Sequence, residues 1–207
     1  MKGKKNLERA IILGLILSTG VYGSAFAINR IVDDYDQTFD TSITVEGANS
    51  SAIEIDDKEV KITTTDNTDG TIKLDSNKYG IHLDGNSTVN FRCRSRQWKI
   101  VVRLSDDDAD GINVVDRANG TITFNANGSN IIEATGLGTD GIYTDSGNNT
   151  KVDFTATNGS NEITAGNNGI DHRGDNNITL IADKGGNIID AGNAYQKSRR
   201  WWRPYWR

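Results

Sequence analysis

Few stretches of this 207-residue chain carry residue types at spacings that chemistry requires. Asp106-Asp107-Asp108-Ala109-Asp110-Gly111 places carboxylates at alternate positions ahead of a glycine, like the first half of a calcium loop. The bidentate Glu that closes such a loop at its twelfth position is replaced by Arg117, and no GGxGxD repeat is present. The run reads as a solvated acidic turn. Arg173-Gly174-Asp175 is the tripeptide that integrins read, in a predicted exposed turn; Gly-Asp is also ordinary turn chemistry. His82 and His172 each follow a Gly-Ile pair, with no third ligand at a metal-binding spacing, and are expected at the surface. There is no nucleophile elbow, phosphate loop or Cys/His cluster. The sequence therefore assigns no catalytic, cofactor-binding or metal-ligating residue and implies no cofactor. Arg173, Gly174 and Asp175 are its one candidate site, as an adhesion tripeptide.

What positions these residues is a repeat of about 30 residues. Its landmark is Gly-Ile, at Gly80-Ile81, Gly111-Ile112, Gly141-Ile142 and Gly169-Ile170. An alternating apolar run follows each time: Val89 and Phe91, Ile122 and Phe124, Val152 and Phe154, Ile178 and Leu180. A Gly-Asn turn and a short strand ending in Ala134, Ala165 or Ala191 complete the later copies. Period-2 alternation marks half-buried strands. Three strands and three turns per copy predict one coil of a single-stranded, right-handed parallel β-helix, with coils about 4.8 Å apart. An antiparallel sandwich has no reason to repeat its turns and apolar positions together. Ile43, Val45, Ile53, Ile55, Val60, Ile62, Ile72 and Leu74 extend the alternation toward the N-terminus, for about five coils in all. The fold class is all-β, with the coils over residues 28–193.

Residues 1–27 read differently. Lys2, Lys4, Lys5 and Arg9 form a basic head, residues 11–22 a short apolar run, and Ser24-Ala25-Phe26-Ala27 a small-residue cleavage site. This predicts a helical secretory signal peptide removed after Ala27, and no membrane-spanning segment afterwards. With Glu8, residues 1–27 carry +3 against a total of −5, leaving −8 for the exported part, which argues against nucleic acid as a partner. A single Cys excludes an internal disulfide.

Two segments depart from the repeat. Residues 92–99, with Arg92, Cys93, Arg94, Arg96 and Trp98, are basic and interrupt it, and so is the Arg/Trp-rich tail at 194–207. Read one base later, the codons of Trp98 and of Trp201-Trp202 encode glycine, and both segments regain turn and strand material. Both are therefore read as out of frame, the tail as a disordered end of a truncated chain. An uncapped coil at that end would expose a ladder edge and favour self-association.

A signal peptide followed by Asn-, Gly- and Thr-rich repeats such as DGIYTDSGNNTKVDFTATNGSNEITA resembles the passenger of a bacterial autotransporter (type V secretion). The resemblance implies a β-helix displayed at the outer membrane and adhesive toward glycans or proteins of host or neighbouring cells. The family's C-terminal translocator barrel is not matched by any segment here. The functional expectation is a non-enzymatic, adhesin-like scaffold, exported through the inner membrane. It would be surface-exposed or extracellular if the gene continues and periplasmic if it stops here. The rival is a carbohydrate-active β-helix, a polysaccharide lyase or glycoside hydrolase, which would need paired carboxylates over a cleft. Mass spectrometry of the exported product should give an N-terminus at Ile28; a full-length cytosolic product would contradict the targeting.

Overall fold

In every repeat the alternation of apolar and polar residues becomes strand. The computed structural model describes residues 26–197 apart from 30, 33–35, 40, 48–49, 66–69, 95–97, 105, 116–118, 146–148 and 174–175, with backbone alone at 26–29, 32 and 193–197. The first rung is β1 (Phe26–Asn29), β2 (Ile31–Val32) and β3 (Gln37–Phe39). The second is β4 (Ile43–Gly47), β5 (Ile53–Asp56) and β6 (Glu59–Thr64), and the third β7 (Thr71–Ser76), β8 (Tyr79–Asp84) and β9 (Thr88–Cys93). Then come β10 (Lys99–Leu104), β11 (Asp110–Val114) and β12 (Thr121–Ala126), followed by β13 (Asn130–Ala134), β14 (Ile142–Thr144) and β15 (Lys151–Ala156). In the next rung the first two strands fuse into β16 (Ser160–His172), which precedes β17 (Asn177–Ala182), and β18 (Gly186–Lys197) opens another rung.

All pairings are parallel and link each strand to its counterpart one rung on, which makes the chain a β-solenoid. Three walls result. The first holds β1, β4, β7, β10, β13 and the start of β16; the second β2, β5, β8, β11, β14 and the end of β16; the third β3, β6, β9, β12, β15 and β17. The rungs from β4 to β17 are the five expected coils. The solenoid also reaches further than the sequence suggested: β1 starts at Phe26, and β18 runs past Asn193 to Lys197. There Tyr195, Gln196 and Lys197 pair with Ile170, Asp171 and His172. A parallel ladder needs only backbone N–H and C=O, so it continues where side-chain alternation has stopped. Residues 1–25 and 198–207, which hold most of the targeting segment and of the tail, lie outside the described residues. Among the described residues no helix is long and apolar enough to cross a membrane.

Register puts like on like. Phe91, Phe124 and Phe154 are successive partners, and their rings stack at 4.9 and 4.5 Å between centroids. Each such contact contributes about 0.5–1.5 kcal/mol beyond the area it buries. Val89, Ile122 and Val152 form a second fully buried column in that wall. Ile178 and Leu180 continue both columns in register but are only half-buried, because among the described residues β15 is their one ladder neighbour. In the second wall Ile31, Ile53, Ile81, Ile112, Ile142 and Ile170 form a single buried column.

The Gly before each of the later isoleucines has a steric reason. A Cβ at Gly111 would lie 2.5 Å from the Gly141 carbonyl oxygen and 2.5 Å from Ile132 Cγ2. At Gly141 it would lie 2.6 Å from the Gly169 oxygen and 2.4 Å from Ile163 Cγ2. The chain turns the corner between walls there, directly against core side chains. An internal amide ladder pins another corner: Asn130 Nδ2 donates to Asn161 Oδ1, and Asn161 Nδ2 to Asn187 Oδ1, both at 2.8 Å.

Of the basic segment at 92–99, residues 95–97 lie outside the described residues, and those on either side keep the stack. Arg92 and Cys93 end β9 in register with Asn125 and Ala126, and Cys93 is buried, which pushes its thiol up to about 12. Trp98 is fully buried and part of the core. It lies in line with Gly70 and Gly128, whose backbones bond to the same stretch. A Cβ at Gly70 would sit 3.0 Å from the indole, so the missing side chain there leaves the ring its space. Trp98→Ala should therefore lower unfolding free energy by about 3–5 kcal/mol in urea titrations, whereas Leu137→Ala, at a residue 77% exposed, should change it by less than about 0.5 kcal/mol. A neutral Trp98→Ala would show that the indole is dispensable to the stack.

Candidate functional site

The outer face of the second wall gathers the chain's unusual polar side chains. Alternation sends Ile81, Ile112, Ile142 and Ile170 inward and the next residue outward, so Glu54, His82, Asn113, Tyr143 and Asp171 stand in one row. The residue before each Gly, at the corner, forms a second row: Tyr79, Asp110, Asp140 and Asn168.

The rows are tied together rung by rung. Asn113 Nδ2 donates to Asp110 Oδ2 at 2.6 Å, and Asn113 Oδ1 lies 2.9 Å from His82 Nδ1. Asp110 Oδ1 accepts from the Asp140 backbone N–H at 3.2 Å. Asp140 Oδ1 in turn accepts from the Asn168 N–H at 3.0 Å, from Asn168 Nδ2 at 2.9 Å and from Asn167 Nδ2 at 3.0 Å. Arg173 donates to Asp171 Oδ2 at 3.0 Å and places its guanidinium 5.0 Å from the centre of the Tyr143 ring. Tyr79 stacks on His82 at 5.1 Å, with Lys78 Nζ 5.2 Å from its ring centre. Asp171 Oδ1 and Asn168 Oδ1 are buried without a hydrogen-bond partner.

Burial and neighbouring charge act on Asp110 and Asp140. Burial pushes Asp110 up to about 6; bonds from Asn113 and the Asp140 N–H oppose the shift, and the charges of Asp140 and Asp171 add to it. Asp140 is also raised by burial, against the bonds from Asn168. Burial raises the Tyr143 phenol, with Arg173 opposing. Chemically this is an acceptor-rich, largely buried face with two tyrosines engaged by neighbouring cations and a carboxyl raised by burial. Among the described residues no three His, Cys, Asp or Glu side chains are grouped to hold a metal ion.

The sequence candidates fall unevenly on this face. Of the adhesion tripeptide, Arg173 is engaged with Asp171 and Tyr143, while Gly174 and Asp175 lie outside the described residues. In the acidic run only Asp110 joins the site. Asp107 instead caps the Leu137 N–H at 2.7 Å, and Asp108 takes a left-handed turn with φ 56°. The two histidines part company: His82 stands in the outer row, whereas His172 is buried, in line with Leu83, Val114 and Thr144 on the inner side. The expectation of a surface His172 is thus corrected; it comes three residues after its Gly rather than two, and that one-residue offset turns the side chain inward. Asp140, Asn113, Tyr143 and Asp171 were not singled out in the sequence. The signal was there, in the positions flanking Gly-Ile, once read down the repeats rather than along the chain.

Compared with known proteins, the chain matches no family model, no curated protein and no solved structure.

Asp110 makes a pH dependence. Its folded value of about 6 lies above the ordinary 3.8, so the folded state holds this proton more tightly than the unfolded one. Its contribution to stability is fully present below about pH 4 and is lost as pH rises through 6. Asp110→Asn, the amide that Asn168 already places at this corner, should flatten that slope in thermal melts from pH 4 to 7. It should stabilise the chain at pH 7 by on the order of 1 kcal/mol. An unchanged slope would place the titration elsewhere.

Proposed function

We propose that the chain is a non-enzymatic, exported binding scaffold, an adhesin-like β-solenoid of the autotransporter-passenger kind. The observation that carries this reading is the unbroken parallel stack, in which outward rows repeat in register while turns between walls stay short. Such a surface displays side chains at a fixed spacing along an extended face, which suits recognition of an extended partner. The basic head, apolar run and small-residue site at the N-terminus support export. Surface display then depends on what carries the chain across the outer membrane. The half-buried Ile178, Leu180 and Ile189 and the exposed Ile181 and Ile188 support self-association through the last described rung.

A carbohydrate-active enzyme is the second reading, and the carboxylates of Asp110, Asp140 and Asp171 favour it. Against it, Asp110 and Asp140 accept hydrogen bonds from the neighbouring rung, which restrains them as structural acceptors. Expression in a Gram-negative cell, with fractionation and protease shaving, tests the first reading, and reducing-end release from polysaccharides tests the second. The expected result is an exported chain with no release. Retention of the folded chain in the cytosol, or new reducing ends lost in Asp110→Asn, would overturn the scaffold.

A further inference from the structure

We propose that Asn86 and Asn177 are acceptors for N-linked sugar on the exported chain. The inference rests on the reading of the chain as an exported scaffold and adds a covalent modification to it.

Asn-x-Ser/Thr, with x other than Pro, is the segment at which exported chains accept sugar on the Asn amide nitrogen. It occurs seven times in this sequence. Two copies, headed by Asn49 and Asn148, lie outside the described residues. The fold divides the other five. Three have their nitrogen committed to a neighbouring rung. Asn119 Nδ2 donates to Asn86 Oδ1 at 2.9 Å, Asn127 Nδ2 to the Arg94 carbonyl at 2.8 Å, and Asn158 Nδ2 to Asn127 Oδ1 at 2.6 Å. Asn127 and Asn158 are also half-buried. A sugar on either nitrogen would stand where the neighbouring rung lies.

Asn86 and Asn177 differ. Both are exposed, and neither Nδ2 has a hydrogen-bond partner among the described residues. Asn86 is held by other atoms: its backbone N–H donates to Asp57 Oδ1 at 2.8 Å, and its Oδ1 accepts from Asn119. A sugar on the nitrogen displaces neither bond. Asn177 opens β17, and alternation sends it outward together with Thr179. The motif also requires a hydroxyl two residues on. Thr88 and Thr179 supply it, each half-exposed on the outer side of its strand, with no partner for the hydroxyl among the described residues.

The chain contributes only the nucleophile. The amide nitrogen bonds to the anomeric carbon of a sugar carried on a lipid diphosphate, the bond from that carbon to the diphosphate breaks, and the nitrogen gives up one proton. Nothing is oxidised or reduced. The Thr88 N–H donates to the Lys58 carbonyl at 2.7 Å and the Asn177 N–H to the Thr150 carbonyl at 2.8 Å, which closes both segments into the stack. Transfer therefore precedes folding, and the finished rung decides which sugars fit.

The test expresses the full chain in a cell whose secretory pathway carries an oligosaccharyltransferase and its lipid-linked donor. A second version replaces residues 1–27 by an established secretory leader. Peptide mass spectrometry of the folded, exported fraction reads each site, after enzymatic release of the sugar in heavy-oxygen water has turned every occupied Asn into labelled Asp. Asn86 and Asn177 should be occupied, and Asn127 and Asn158 bare. Asn86→Gln and Asn177→Gln should each remove one sugar chain. Thr88→Ala and Thr179→Ala, which keep the Asn, should remove the same chains, and melting curves show that each variant is folded. The proposal is overturned if either Asn is bare behind the established leader, if the Thr variants keep their sugar, or if Asn127 and Asn158 are occupied as fully as Asn86 and Asn177. Sugar behind the established leader alone would uphold the acceptors and overturn the chain's own export.

Discussion

The rest of the molecule depends on register at the corner between the first and second walls. There the chain turns tightly enough that a Cβ at Gly80 would come within 2.1 Å of Val102 Cγ1, and one at Gly111 or Gly141 would press on the next rung's carbonyl. A corner this close admits a side chain only where the geometry relaxes, as at Ala52 in the second rung, which precedes Ile53 as Gly80 precedes Ile81. Once the corner is set, the isoleucine that follows must fall on the previous isoleucine, and every residue after it inherits that alignment. Since a one-residue slip in a strand exchanges inside for outside, the corner decides which side chains are core and which are displayed. The Phe stack and the outer polar rows are both consequences of it.

Stacking like on like also explains how so narrow a core bears polar residues. A ladder of identical amides, Asn130 on Asn161 on Asn187, lets each side chain satisfy the next, which a single buried Asn could not do. The ladder fails where its column changes type. Asn130 is preceded in register by Ile100, and its Oδ1 is left buried without a partner. The orphan oxygens of Asn168 and Asp171 likewise fall near the end of their columns, where β18 is the last partner. Unsatisfied groups thus gather where the repeat breaks, as expected of a one-dimensional stack in which each rung is stabilised only by its neighbours.

Much of the fold was legible in the sequence because the core repeats visibly. Gly-Ile, Val-x-Phe and the Gly-Asn turn each recur at a fixed period, so strand identity, parallel pairing and the Phe91–Phe124–Phe154 column could be read from the letters. Trp98 could not. As a lone large residue in a column of glycines it looks like an error, and only the space over Gly70 explains its burial. The extension of β18 to Lys197 was hidden for a different reason: backbone pairing leaves no mark on side-chain type. The candidate site was the least legible part. Its members, Tyr79, Asp110, Asn113, Tyr143 and Asp171, are of different types, one or two to a rung, and they become neighbours only when the rungs are superposed.

That heterogeneity bears on function. Inner columns keep one chemical type because any departure leaves a cavity or a buried polar group, so they carry little information beyond the fold. Outer columns are free to vary, and on the third wall they do so blandly, as Asn90, Thr123 and Asp153 show. On the second wall the outward residues have become buried. Asn113 and Asp171 are each 3% exposed, although alternation points them away from the core, and Asp140 at the corner is 6% exposed. Burial raises the proton affinity of Asp110 and Asp140, which works against folding at neutral pH. A solenoid stabilised only by its stack has no structural need for this, since the third wall stands without it. Among the described residues, the departure from the cheaper solution is confined to this one face.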